Sequence, residues 1–128
     1  MRAVRGATTL DEDSAEQVDA RVRELMTQMI ERNGLDREDL VSILLTATPD
    51  VHSAFPASAA RRMGLEDVPV IGAQELDVNG ATPLCIRVMM HVESGRSRAE
   101  MAHVYLHGAQ GLRDRAGLGA PDPVGPGG

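Results

Sequence analysis

Lysine and tryptophan are absent from this 128-residue sequence, and cysteine, tyrosine and phenylalanine occur once each. The single thiol, Cys85, excludes an intrachain disulfide and any four-ligand Cys/His zinc pattern. With Phe55 and Tyr105 as the only aromatics, the core has to be aliphatic, helped by seven methionines. No run of 18 apolar residues occurs, so no membrane span is expected. The first residues, MRAVRGATTL, lack the apolar stretch of a signal peptide, and the expected setting is the cytoplasm. Positive charge is scarce too: 13 basic against 19 acidic residues leave a net charge of −6. That balance disfavours nucleic acid, whose affinity comes largely from phosphate neutralisation. It still permits a local cationic pocket for a small anion. Because every basic residue is arginine, each such contact is made by guanidinium, the group suited to forked carboxylate recognition.

The length fits one domain with one core. Residues 2–8 read as a strand with Val4 and Arg5 on opposite sides. Val18, Val22, Leu25, Met26, Met29 and Ile30 then mark one face of a helix, with Asp13 or Ser14 as its cap and Asn33-Gly34 as its stop. A turn at 35–39 leads to VSILLTAT (41–48), read as a largely buried strand ended by Pro49. A short helix is expected over 57–63 after Pro56, then strands over 68–76 and 85–93. In the last of these Ile86, Val88, Met90 and Val92 share one face, and Cys85, Arg87, Met89 and His91 the other. A helix-like turn and a strand near HVYL follow. The order β-α-β-α-β-β, then a short helix and strand, predicts an α+β (α/β-like) domain. It is a mixed sheet with one long amphipathic helix and short helices on one face. An uncovered second face calls for a partner and points to an oligomer. The division expected is a folded unit over 1–115 and a Gly/Pro-rich tail over 116–128 that cannot pack a core.

Most reactive chemistries leave no trace. Cys85 has no base beside it in an apolar strand and reads as a structural thiol. His52, His91, His103 and His107 show no helical metal spacing, so no metal is expected. Gly6, Gly72 and Gly80 are isolated, and no phosphate loop or hydrolase elbow occurs. What stands out is a set of arginines with one acid inside strand-like segments: Arg5, Glu75 and Arg87, with Tyr105 nearby. Charges at strand centres are scarce in a small domain and need partners. Arginines converging on one cleft make a carboxylate site, so a small polycarboxylate is the ligand expected.

The segments RGATT (5–9), TATPDVHSAFPA (46–57), VPV (68–70), QELDV (74–78), CIRVMM (85–90), HVYL (103–106) and LR (112–113) occur in that order. In this combination the sequence resembles the monofunctional chorismate mutases of the trimeric, pseudo-α/β-barrel class. The resemblance implies a homotrimer with sites between subunits and a cofactor-free isomerase. It also implies the intramolecular rearrangement of chorismate to prephenate, on the way to phenylalanine and tyrosine. By the same resemblance, Arg87 bonds the substrate's ether oxygen and Glu75 accepts from its ring hydroxyl, while Arg5 and Tyr105 hold carboxylates. Phe55, Ala57 and Val70 match pocket walls, Arg61 and Arg113 match peripheral basic positions, and Ala73, Gln74 and Leu112 fall among the substrate-binding positions. Ser58 stands where some members carry lysine, and Ile71-Gly72 replaces a more polar pair. Two other readings of the arginine set stay open: a trimeric imine deaminase of the reactive-intermediate type, and a non-catalytic trimer that binds a carboxylate metabolite. The CIRVMM and QELDV segments argue against the deaminase.

Overall fold

The computed structural model describes residues 1–112; Arg113 and the segment 116–128 lie outside the described residues. Five strands form one sheet: β1 (Arg2–Thr9), β2 (Leu40–Ala47), β3 (Val70–Gln74), β4 (Cys85–Val92) and β5 (Val104–Tyr105). They lie in the order β3-β2-β4-β1-β5. β4 runs antiparallel to both β1 and β2, whereas β3 is parallel to β2 and β5 to β1. The helices are α1 (Ala15–Arg32) and α2 (Pro56–Arg61), with short 3-10 turns at Arg37–Asp39, Arg98–Glu100 and His107–Ala109. None of the described helices is long and apolar enough to cross a membrane.

Each element follows from its residues. α1 begins at Ser14, whose hydroxyl accepts the Gln17 backbone N–H and so satisfies one orphan donor. Its apolar stripe, Val18, Val22, Leu25, Met26 and Met29, is fully buried. The stripe packs on the sheet face that carries Val4, Ile43, Leu45, Ile86, Met90 and Val92. Each such side chain contributes roughly 1.5–3 kcal/mol of burial. Asn33 ends the helix, and Gly34 takes the left-handed conformation at φ 60°. α2 starts on Pro56, where the missing N–H costs nothing, and buries Ala57, Ala59 and Ala60.

Three expectations need correction. β2 is not largely buried: Val41 and Leu44 are exposed because only alternate residues face the helices, and the ladder slips between Leu40 and Ser42. β3 is shorter than 68–76, although Pro69 still offers its carbonyl to Ile43 N–H. Glu75 stands just beyond β3 rather than inside it, its N–H donating to the Ala47 carbonyl at 2.9 Å.

Asp13, the rejected cap, has another task. Its carboxylate accepts the backbone N–H groups of His52 and Ser53 at 2.8 and 3.1 Å and the Ser53 hydroxyl at 2.6 Å. It thereby ties the loop before α2 to the start of α1. Gly6 performs a comparable service in the core, since a Cβ there would meet Met29 Sδ at 2.5 Å and Leu25 Cδ1 at 3.1 Å.

Gly6→Ala therefore overpacks the α1 contact and lowers unfolding free energy by about 1–3 kcal/mol, measured in urea. The Ser53 hydroxyl first, and then the His52 amide, hold the Asp13 carboxyl below its ordinary value. A depressed folded value means that the contribution of Asp13 is present at neutral pH and is lost as pH falls through that value. Asp13→Asn should flatten the acid limb of the stability curve between about pH 2 and 5; an unchanged limb would show that the loop does not depend on this anchor.

Candidate active site

The sheet face away from α1 and α2 carries the charges. Strand register aligns Ala73, Thr46, Arg87, Ala7 and Tyr105 in one row across five strands. The next row is Ile71, Leu44, Met89 and Arg5. Arg5, Glu75, Arg87 and Tyr105, remote from one another in the chain, line one concavity of about 300 Å³. Thr46, Leu44 and Met89 complete its floor.

Arg87 and Glu75 define its chemistry. Arg87 Nε lies 3.0 Å from Glu75 Oε2, with both side chains half-buried. The Nε–H is out of solvent and makes no directed hydrogen bond among the described residues. The pair is thus an ion pair by distance, held by charge, with donor capacity left over. Thr46 Oγ1 donates to the same Glu75 oxygen at 2.7 Å. Arg5 sits at the rim with no acidic partner among the described residues, and its backbone N–H donates to His103 Nδ1 at 3.0 Å. Burial, and then the charge of Arg5, hold His103 below the usual imidazole range. With Nδ1 accepting that N–H, the neutral ring carries its proton on Nε2, and Arg5 supplies the positive charge at this rim. Tyr105 is half-buried against Cys85, Ala7, Ala109 and Leu112. Burial pushes the Cys85 thiol up, opposed by Arg87, which suits packing rather than nucleophilic attack. Among the described residues no three His, Cys, Asp or Glu side chains converge to hold a metal ion.

A second cleft, of about 690 Å³, opens where α2 meets the sheet edge. Phe55, Ala57, Arg61, Gly72, Ala73 and Gln74 line it, together with the loop that Asp13 anchors. Phe55 is 80% exposed at the start of α2, an unusual place for the only phenylalanine of the chain. The other expected positions lie elsewhere. Val70 packs against the core, Ser58 is half-buried on α2, Ile71 is 65% exposed on the open face, and Leu112 is buried under the last turn. None of the four lines either cleft, and Arg113 is outside the described residues. Among the described residues of one chain the clefts share no lining residue.

Sequence reasoning missed Thr46, Leu44 and Met89 as site residues. Period-two alternation puts Leu44 with Thr46 and Arg87 with Met89 on common faces. What it does not reveal is that β2 and β4 are neighbours, which makes those faces one surface.

The family model described as chorismate mutase type I matches residues 1–116. The chain is 43% identical over 114 residues to a Bacillus subtilis (strain 168) protein named chorismate mutase AroH, covering 88% of this chain and 90% of the relative. A Thermus thermophilus protein of the same name is 40% identical over 114 residues, covering 88% and 93%. Among solved structures, a chorismate mutase from Clostridium thermocellum superposes with a TM-score of 0.84 at 43% identity, over 86% of this chain and 98% of that one. A match of this extent, in sequence and in fold, decides among the readings left open by the arginines: the chain belongs to the type I chorismate mutases, the isomerases that turn chorismate into prephenate.

Proposed function

We propose that Arg87, Glu75, Arg5 and Tyr105 carry the rearrangement of chorismate in this chain. The observation behind this reading is the convergence of these four on one cleft from β1, β4, β5 and the segment after β3. In the reaction one C–O bond breaks as one C–C bond forms, and no proton moves, so positioning and electrostatics are what the protein has to supply. As the C–O bond stretches, its oxygen becomes more negative and the ring more positive. The outer N–H groups of the Arg87 guanidinium meet the oxygen; the Glu75 carboxylate faces the ring and accepts from its hydroxyl. Because both groups are fixed before substrate arrives, they need little reorganisation in the transition state. Arg5 and Tyr105 hold carboxylate ends, folding the flexible substrate into the reactive conformer and removing part of the entropic barrier.

The same reading includes a cytoplasmic homotrimer with each site built between two subunits. Its support is the separation of the clefts: the polar groups line one, while Phe55, Ala57, Arg61 and Gln74 line another. An interface that brings the second cleft of one copy over the first cleft of its neighbour gives the site walls and excludes water. The open face, with Leu44, Ile71 and Met89, is the surface available for such packing. Arg61 then adds positive field at the rim, and Val70, Ser58, Gly72 and Leu112 act as backing for the walls. A contribution of Arg113 is part of the same proposal.

Arg87→Lys tests the electrostatic assignment, because a point charge on a different stem does not reproduce the guanidinium fork. The turnover number should fall by about 10²-fold or more with the fold intact, followed by loss of chorismate and appearance of prephenate. Near-normal turnover would remove Arg87 from this role. For the shared site, Arg87→Ala and Phe55→Asp chains, each inactive, are mixed, unfolded and refolded together. Random assortment in trimers restores about a quarter of the sites if each draws on two subunits. No recovery would place both clefts' contributions within one chain.

A further inference from the structure

Thr46 lies directly opposite Arg87 on β4 and beside Ala73 on β3. Its hydroxyl donates to Glu75 Oε2, the oxygen that Arg87 Nε approaches at 3.0 Å. Among the described residues Glu75 Oε1 has no hydrogen-bond partner, so the two protein groups share one oxygen and leave the other free. An arginine and a carboxylate this close ordinarily settle into a two-pronged pair, with two parallel N–H···O bonds. Here they do not. Among the described residues the Arg87 Nε–H makes no directed bond, and the Glu75 oxygen nearest to it also accepts from the Thr46 hydroxyl.

We propose that Thr46 is a positioning residue that keeps Glu75 and Arg87 from closing on each other. Its hydroxyl pins Oε2, which fixes the plane of the carboxylate. Oε1 is then kept for the substrate's hydroxyl, and the guanidinium N–H groups for its ether oxygen. Threonine suits the task because its branched Cβ restricts χ1 and so narrows where the hydroxyl can stand. Without that donor the carboxylate rotates onto Arg87, satisfies the guanidinium internally and competes with the developing negative charge. The loss then falls on the transition state rather than on binding of the ground state. The proposal rests on the roles given above to Glu75 and Arg87.

The test uses Thr46→Val, which keeps the shape and removes the hydroxyl, and Thr46→Ser, which keeps the hydroxyl. Thr46→Val should lower kcat about tenfold with KM changed less than about twofold, whereas Thr46→Ser stays within about threefold of the parent. A role in packing alone predicts the reverse order, with valine the better replacement. In a Glu75→Ala background Thr46→Val should have less than about a twofold effect, because the group it positions is gone. Parental kcat in Thr46→Val, or the same factor in both backgrounds, would overturn the proposal. If the valine variant does not fold, Thr46→Ala carries the same expectation. Full turnover in Glu75→Ala itself would instead strike the assignment of Glu75. A crippled Glu75→Ala beside a neutral Thr46→Val would strike the positioning role alone.

Discussion

A guanidinium set into the middle of a sheet and left incompletely satisfied is the constraint on which this molecule turns. Arg87 lies on β4, the central strand of the sheet, where an unpartnered charge is costly. Glu75 answers the charge at 3.0 Å without taking the Nε–H. The sheet thus tolerates the arginine, and the arginine keeps the capacity to bind. A fully bonded pair would be quieter and useless; a missing acid would leave a half-buried positive charge without a counter-ion. The proposed chemistry needs the state between these two.

That state requires a rigid frame, because preorganised charge works only where it does not relax toward its partner. The frame is the helix-covered face. Met29, Leu25 and Met26 from α1 fill the space under β1 and β4, and Gly6 lets the helix come close. The upper face stays thinly covered, with the last turn seated over Ala7 and Cys85 at one end. Gly108 N–H donates to Thr9 Oγ1 there, so the turn is held by the same strand that presents Arg5. Stability is concentrated below the sheet and binding capacity above it.

Much of this was legible in the residues. The period of Val18 through Met29 specifies α1, and the alternation of Cys85 through Val92 specifies both faces of β4. Arg87, conspicuous in an apolar strand, announces a site. Glu75 reads as an acid in a strand-like segment, though it lies past the end of β3, where its N–H still pairs with β2. Other features depend on which strands are neighbours. Thr46 looks like an ordinary strand threonine until β2 is laid beside β4, and the parallel β1–β5 pairing that brings Tyr105 level with Ala7 joins segments nearly a hundred residues apart. The choice between Asp13 and Ser14 as cap was illegible for a similar reason. Either fits locally, and the decision comes from a distant loop that needs three acceptor contacts.

Catalysis here turns on where the fixed charges stand relative to the reacting atoms. The most direct measurement is a crystal structure of the assembled protein with a rigid bicyclic, dianionic mimic of the rearrangement's transition state. The arrangement expected has an Arg87 N–H about 3 Å from the ether oxygen of the mimic and Glu75 Oε1 on its hydroxyl, with Arg5 and Tyr105 on carboxylates. A mimic bound elsewhere, with Arg87 still facing only Glu75, would contradict it.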